Sequence, residues 1–346
     1  MINNIEYINL IDDVFKVVDN YSQLKNKKIL VIGSTGTIGS FLVDTLMRIN
    51  ELYNENITIY AGSRTLENIK KRFKEYLNND LFIPYPFDIT KDININIELD
   101  YIVHAGSDSY PASFQKTPVE IMQSNFIGTN NLLNYCKNKN TRLLYISSGE
   151  VYGEYSGTTP IKETYQGYID NLKFRSCYPI SKRASETLCI SYKEEYNTDV
   201  VIARLSHVYS PFYKENDNKV HIKFIESALS NQDIVFKKGV KQIRSYTFIV
   251  DAITGLLKCL LSGISGEVYN ISNENSVIDL EEMASTIATI SNTEVVFEEI
   301  NDNDSKVFNP MNYAVLENQK LKGLNWHGLY TFEEGIKKVI SIRKKI

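Results

Sequence analysis

Lys28-Ile29-Leu30-Val31-Ile32-Gly33-Ser34-Thr35-Gly36-Thr37-Ile38-Gly39 is the stretch whose reading decides the fold. Residues 28–32 are a short apolar run of the kind that forms a buried strand. Three glycines spaced G-x-x-G-x-x-G follow, and then an apolar helix from Phe41 to Met47. Strand, glycine turn and helix together make a pyrophosphate cradle. Glycines let the backbone come close to phosphates, and a helix N-terminus offers free N–H groups. Gly33, Thr35, Gly36, Thr37, Ile38 and Gly39 are therefore expected to bind a dinucleotide.

Reading outward, apolar runs at 57–61, 82–87, 100–105, 142–147 and 200–204 continue the strand pattern, with helical stretches between them. Alternating strands and helices imply an α/β fold of the doubly wound, Rossmann type with a parallel sheet. The second strand ends in Ala61-Gly62-Ser63-Arg64 without the acid that usually holds a ribose 2′-hydroxyl. Ser63 and Arg64 suit a 2′-phosphate, which favours NADP over NAD; alternatively Arg64 stacks on the adenine or points to water. Asp88-Ile89 is placed to reach the adenine edge, and His104-Ala105-Gly106 ends the fourth strand beside the cofactor, with His104 structural rather than catalytic. Asn125, polar inside an apolar helix over 119–138, must find partners and is expected to bridge to the active-site strand.

Tyr178-Pro179-Ile180-Ser181-Lys182 carries the chemistry. A tyrosine and a lysine four apart share one side of a helix. An ammonium held near a phenol favours the phenolate, so Tyr178 is expected to be a proton acceptor tuned by Lys182. Ser147-Ser148-Gly149-Glu150 closes the fifth strand, at the sheet edge where ligands of open α/β sheets sit.

The 346 residues, 43% hydrophobic and 23% charged with net charge −4, fit an ordinary globular protein without a basic surface for nucleic acid. Four cysteines lie far apart, as expected of buried thiols in a reducing, cytoplasmic setting. The N-terminus does not resemble a signal peptide, and no apolar run is long enough to span a membrane. Four histidines without ligand spacing imply no metal. The abundance of Asn and Ile reads as compositional drift.

Taken in order, Gly33/Gly36/Gly39, Asp88, Asn125, Ser147-Ser148, Tyr178/Lys182 and the segment Arg244 to Asp251 resemble the extended short-chain dehydrogenase/reductase family of nucleotide-sugar epimerases, dehydratases and decarboxylases, over about residues 27–340. Arg175-Ser176-Cys177-Tyr178 through Glu186-Thr187, together with Ser148-Gly149-Glu150-Val151-Tyr152-Gly153, resembles the UDP-glucuronate decarboxylase-like branch. The resemblance implies hydride transfer at C4 of a nucleotide sugar, with Ser148, Glu150, Tyr178 and Lys182 catalytic and with Tyr178 and Lys182 also meeting the cofactor. It implies that Ser109, Ser148, Gly149, Lys219 and Arg244 face the substrate, and that the protein is a homodimer through the helix bearing Tyr178 and its neighbour. Dehydratases place an Asp where Gly149 stands, which counts against 4,6-dehydration. The branch's D-G-R-V and R-x-P-D motifs are replaced by Asn218-Lys219-Val220 and Phe308-Asn309-Pro310-Met311. Three activities stay open: a transient 4-keto enzyme recycling its cofactor, an NADPH-dependent 4-keto reductase, and an inactive dinucleotide-binding sensor or scaffold.

The expected organisation is an amphipathic helical extension over 1–24, with Ile5, Ile8, Ile11, Phe15, Val18 and Leu24 on its packing face. A dinucleotide-binding domain over 25–205 is completed by 247–271. A smaller mixed substrate lobe comprises 206–246 and 272–346. Within it a helix over 221–230, a hairpin from Ile234-Val235-Phe236 through the Gly239 turn, a strand over 247–250 and helices over 277–290 and 333–345 are expected.

Overall fold

Seven parallel strands form the central sheet in a computed structural model of the chain, which describes residues 4–91, 93, 95–213, 217, 219–239, 242–299 and 311–345. They are β1 (Lys28–Ile32), β2 (Thr58–Ser63), β3 (Phe82–Pro86), β4 (Tyr101–His104), β5 (Arg142–Ser148), β6 (Val200–Leu205) and, later in the chain, β10 (Val268–Ile271). The spatial order is β3-β2-β1-β4-β5-β6-β10, so the chain reverses direction across the sheet between β1 and β4. A parallel sheet is covered on both faces, and all six residues of β6 and four of the five in β1 are buried accordingly.

The helices that cover it are α1 (Ile5–Asp13), α2 (Thr37–Tyr53), α3 (Leu66–Arg72), α4 (Pro111–Lys116), α5 (Pro118–Cys136), α6 (Cys177–Tyr196), α7 (Val220–Leu229), α8 (Ile249–Ser262), α9 (Leu280–Ser291), α10 (Gln319–Lys322) and α11 (Phe332–Arg343). Asparagine ends α2, α6 and α9 in the left-handed conformation, at Asn54, Asn197 and Asn292. Every non-glycine residue with positive φ among the described residues is an asparagine. Its short amide tolerates that conformation, so part of the asparagine excess is structural.

The remaining strands build the smaller lobe. β9 (Ile243–Phe248) pairs antiparallel with β11 (Val277–Asp279) and parallel with β7 (His207–Tyr209) and β13 (Tyr313–Ala314). β8 (Ile234–Lys237) does not form the expected hairpin; it pairs in parallel with β12 (Val295–Glu298), across the α7–α9 layer. Ile249 and Val250 belong to α8 rather than to the preceding strand, and 277–279 are a strand ahead of α9. In each case tertiary pairing overrides a local apolar pattern that fits strand and helix alike.

The N-terminal extension packs on the main body as expected, with Ile11, Val18 and Leu24 of the expected face buried. Tyr7, Leu10, Ile11 and Val14 enter the core while Ile5 is exposed. Helix α1 stops at Asp13 and gives way to two short 3-10 turns. Tyr7 donates to the Asp44 carboxylate on α2, and Arg72 on α3 pairs with the same fully buried carboxylate. Burial pushes the Asp44 carboxyl upward against the opposing pull of Arg72. Removing one partner of a buried pair leaves an uncompensated charge, costing about 3–5 kcal/mol. Urea unfolding should therefore show Arg72→Ala destabilised by about 3 kcal/mol or more, while Tyr7→Phe should lose about 1–2 kcal/mol.

Candidate active site

The site lies at the carboxyl edge of the central sheet. Gly33 leaves β1 with φ +75°, and a Cβ there would stand 2.6 Å from the Ala105 carbonyl oxygen beyond β4. A Cβ on Gly39 would stand 2.3 Å from the Gly33 carbonyl oxygen. Only glycine permits this packing of turn, helix and neighbouring strand. Gly36 caps the N-terminus of the 17-residue α2 without a side-chain hydrogen bond, so the amides of Thr37, Ile38 and Gly39 open the helix uncapped by a side chain. Buried polar atoms of Ser34, His104, Ser107, Asn125 (Oδ1) and Ser147 have no partner in this region. A glycine cradle, a helix N-terminus and orphaned polar atoms fit a dinucleotide.

Around the cradle, Thr35 Oγ1 is 3.3 Å from Ser63 Oγ, and Arg64 is exposed just past β2. Asp88 accepts from the Thr90 backbone N–H (3.0 Å) and hydroxyl (2.7 Å), which hold its carboxyl below the usual range; Arg64 lowers it further. Ile89 packs on Gly128 of α5, where a Cβ would stand 2.6 Å from its Cδ1. His104 Nδ1 accepts from the Gly106 N–H at 3.3 Å, and burial followed by the Lys182 charge pushes its imidazole down to about 3. A neutral, buried His104 fits the structural role expected of it. Asn125 does not reach the active-site strand: its Nδ2 donates to Ser181 Oγ (2.9 Å) on α6. Helices α5 and α6 pack directly on each other, which brings Ser181 within reach of Asn125.

Tyr178 lies in the first turn of α6, where Pro179 costs no helical hydrogen bond. Its ring stacks on Phe114 of α4, with centroids 5.0 Å apart and planes 20° apart. The Arg175 guanidinium sits 4.7 Å from the Phe114 ring centroid and grips Glu150 with two hydrogen bonds of 2.8 and 2.9 Å. Ser148 ends β5, and its Oγ accepts from the Glu150 N–H at 3.2 Å. Ser148, Glu150 and Tyr178 thus converge as expected, together with Arg175 and Phe114, to which the sequence reading assigned no role. The signal for Arg175 was its place three residues before Tyr178; nothing in the sequence marked Phe114.

The electrostatics correct one expectation. Lys182 is one turn beyond Tyr178, but its Nζ donates to the Ile146 carbonyl (2.8 Å) and lies 5.8 Å from the Tyr178 ring centroid. The phenol is pushed well above its ordinary value, by burial first and by Glu150 second; Ser148 and Arg175 pull it back. Burial pushes Lys182 itself down to about 7, with Glu186 opposing. Desolvation of both groups outweighs their helical proximity.

On the substrate side, Gly149 lies against Leu316, whose Cδ1 would stand 3.3 Å from a Cβ. Lys219 pairs with Asp217 (3.3 Å) and its Nζ lies 4.6 Å from the ring centroid of Tyr110, next in chain to Ser109. Arg244 is buried in β9. The replaced motif positions Asn218 and Phe308-Asn309-Pro310 lie outside the described residues. Among the described residues no cluster of ligands could hold a metal ion, and no helix is long and apolar enough to cross a membrane.

The model of the NAD dependent epimerase/dehydratase family matches residues 29–272. UDP-glucuronic acid decarboxylase 3 of Arabidopsis thaliana is 30% identical over 270 residues, 78% of this chain and 76% of the relative. UDP-glucuronic acid decarboxylase 1 of Xenopus tropicalis is 28% identical over 326 residues, 94% of this chain and 74% of the relative. The crystal structure of UDP-glucuronic acid 4-epimerase from Bacillus cereus, in complex with UDP-glucuronic acid and NAD, superposes with a TM-score of 0.76 at 22% identity, covering 92% of this chain and 99% of that one. With its glycine cradle and its Ser-Tyr-Lys constellation inside the matched span, the chain belongs to the NAD dependent epimerase/dehydratase family, enzymes that modify nucleotide sugars by hydride transfer at the sugar C4.

Proposed function

We propose that the enzyme decarboxylates a nucleotide-linked uronic acid through a 4-keto intermediate and recycles its cofactor within each turnover. The observation that carries this reading is Glu150, held by Arg175 against the ring pair Phe114–Tyr178, with no second carboxylate at Gly149. The curated relatives that are decarboxylases support it.

A bound nicotinamide supplies the acceptor, and later the donor, of the hydride. Ser148 orients the C4 hydroxyl, and Tyr178 takes its proton as C4 becomes a ketone. Tyr178 ionises only if Lys182, now engaged by the Ile146 carbonyl, presents its charge to the phenol. The 4-ketone makes the C5 carboxylate a β-keto acid. The C5–C6 bond breaks, CO₂ leaves, and the electron pair becomes an enolate whose oxygen accepts from the Tyr178 hydroxyl. Glu150, loosened from Arg175, takes a proton from solvent water and passes it to C5. As C4 is reduced again, Tyr178 would return its proton to the C4 oxygen and restore the hydroxyl. Redox balance closes, and the net change is loss of CO₂ with uptake of one proton.

Residues 206–246 and 272–346 form the lobe that receives the sugar nucleotide, with Ser109, Ser148, Gly149 and Lys219 facing the sugar. Arg244 meets the phosphates, where a guanidinium's planar fork suits an anion. The exposed apolar residues of α5, Val119, Met122, Phe126 and Ile127, support a homodimer through α5 and α6.

Four outcomes are expected. In single-turnover assays with UDP-glucuronic acid, Tyr178→Phe should abolish nicotinamide reduction yet keep bound dinucleotide. Glu150→Gln should still reduce the nicotinamide but release CO₂ at least about 100-fold more slowly; unaltered CO₂ release would make Glu150 structural only. Arg64→Ala should loosen NADP about tenfold while leaving NAD unchanged, read by fluorescence titration. Phe126→Glu should shift the sedimentation coefficient from dimer to monomer; a monomeric parent protein would remove the dimer reading.

A further inference from the structure

Two of the four histidines, far apart in sequence, meet in the smaller lobe. His207 opens β7 in register with Tyr246 of β9, and the two rings lie 5.4 Å apart. His221, in the first turn of α7, packs on the same tyrosine ring at 5.5 Å. Arg244, two residues before Tyr246 on β9, lies between these groups: its Nη1 is 2.7 Å from His207 Nε2, and its Nη2 donates to Gln242 Oε1 at 2.6 Å. A guanidinium has donors only, so His207 Nε2 must accept and the ring proton must sit on Nδ1. Burial and then Arg244 push the His207 imidazole well below its ordinary value; burial and then Lys219 push His221 down to about 3. Both rings are therefore neutral, and the positive charge of the cluster rests on Arg244 and Lys219.

Arg244 is only 6% exposed, and its Nε–H has no partner. No ion pair to a carboxylate engages it among the described residues. A guanidinium so buried is costly unless an anion completes it. A carboxylate in the place of His207 would hold Arg244 as firmly but cancel its charge. A neutral imidazole nitrogen fixes the plane of the fork and leaves the charge available.

We propose that His207 is a positioning residue: its neutral Nε2, with Gln242, fixes the Arg244 guanidinium so that the remaining N–H edge receives the phosphates of the nucleotide sugar. This rests on the reading that Arg244 meets those phosphates. His207 touches neither the sugar nor the cofactor in this role; it acts through Arg244.

The test is a double-mutant cycle on the full-length protein, with UDP as the probe in isothermal titration and UDP-glucuronic acid in steady-state assays. His207→Phe should weaken UDP about tenfold and raise KM similarly, with kcat within about twofold. His207→Gln, which restores an acceptor, should recover most of the affinity. His207→Asp should hold Arg244 yet bind UDP as weakly as His207→Phe, because its charge cancels that of the guanidinium. In the Arg244→Met background, His207→Phe should cost nothing more. Retained dinucleotide and melting temperature report folding; if His207→Phe fails to fold, the Gln and Asp variants carry the test. Wild-type affinity in His207→Asp, or full additivity in the double variant, would overturn the role of His207 while leaving Arg244 in place. Unchanged UDP binding in Arg244→Met, or no UDP binding by the parent protein, would instead remove the phosphate reading and this inference with it.

Discussion

The closeness of the backbone at the end of β1 is the constraint on which the rest depends. Gly33 touches the chain leaving β4, and Gly39 touches Gly33, at distances that exclude any side chain. That packing draws the start of α2 to the sheet edge and opens the crevice where the strand order reverses between β1 and β4. β5 then brings Ser148 and Glu150 to the same edge as the first turn of α6. The N-terminal extension supports the arrangement from behind, since Tyr7 and Arg72 share the Asp44 carboxylate of α2.

Within the crevice, desolvation is stronger than any single charge. Tyr178, Lys182 and His104 are all shifted toward their neutral forms, and burial is the first cause in each. Glu150 pairs with Arg175, whose guanidinium lies over the Phe114 ring of the Phe114–Tyr178 stack. Tyr178 thus rests as a hydrogen-bond donor. In the proposed mechanism its conversion to a base depends on releasing Lys182 from the Ile146 carbonyl.

The smaller lobe follows a different rule. Where β7, β9 and the start of α7 meet, two neutral imidazoles surround one buried guanidinium. Tyr246 holds both imidazoles in place. The charge of the lobe is thereby concentrated on Arg244 and Lys219, and the aromatic and imidazole rings set its geometry.

Local sequence determined the central sheet and its glycine turn, because a buried parallel strand is a continuous apolar run and a close backbone approach tolerates only glycine. It also placed Ser148, Glu150, Tyr178 and Lys182 together, since the ends of successive parallel strands share one edge. What it could not carry were pairings between distant segments. β8 joins β12 instead of turning back on itself, Asn125 meets Ser181 rather than a strand, and His207 meets Arg244 across 37 residues. Helical spacing correctly set Tyr178 one turn from Lys182, yet only the tertiary structure decided that Lys182 would face the Ile146 carbonyl, because burial is a property of the whole fold and not of a four-residue interval.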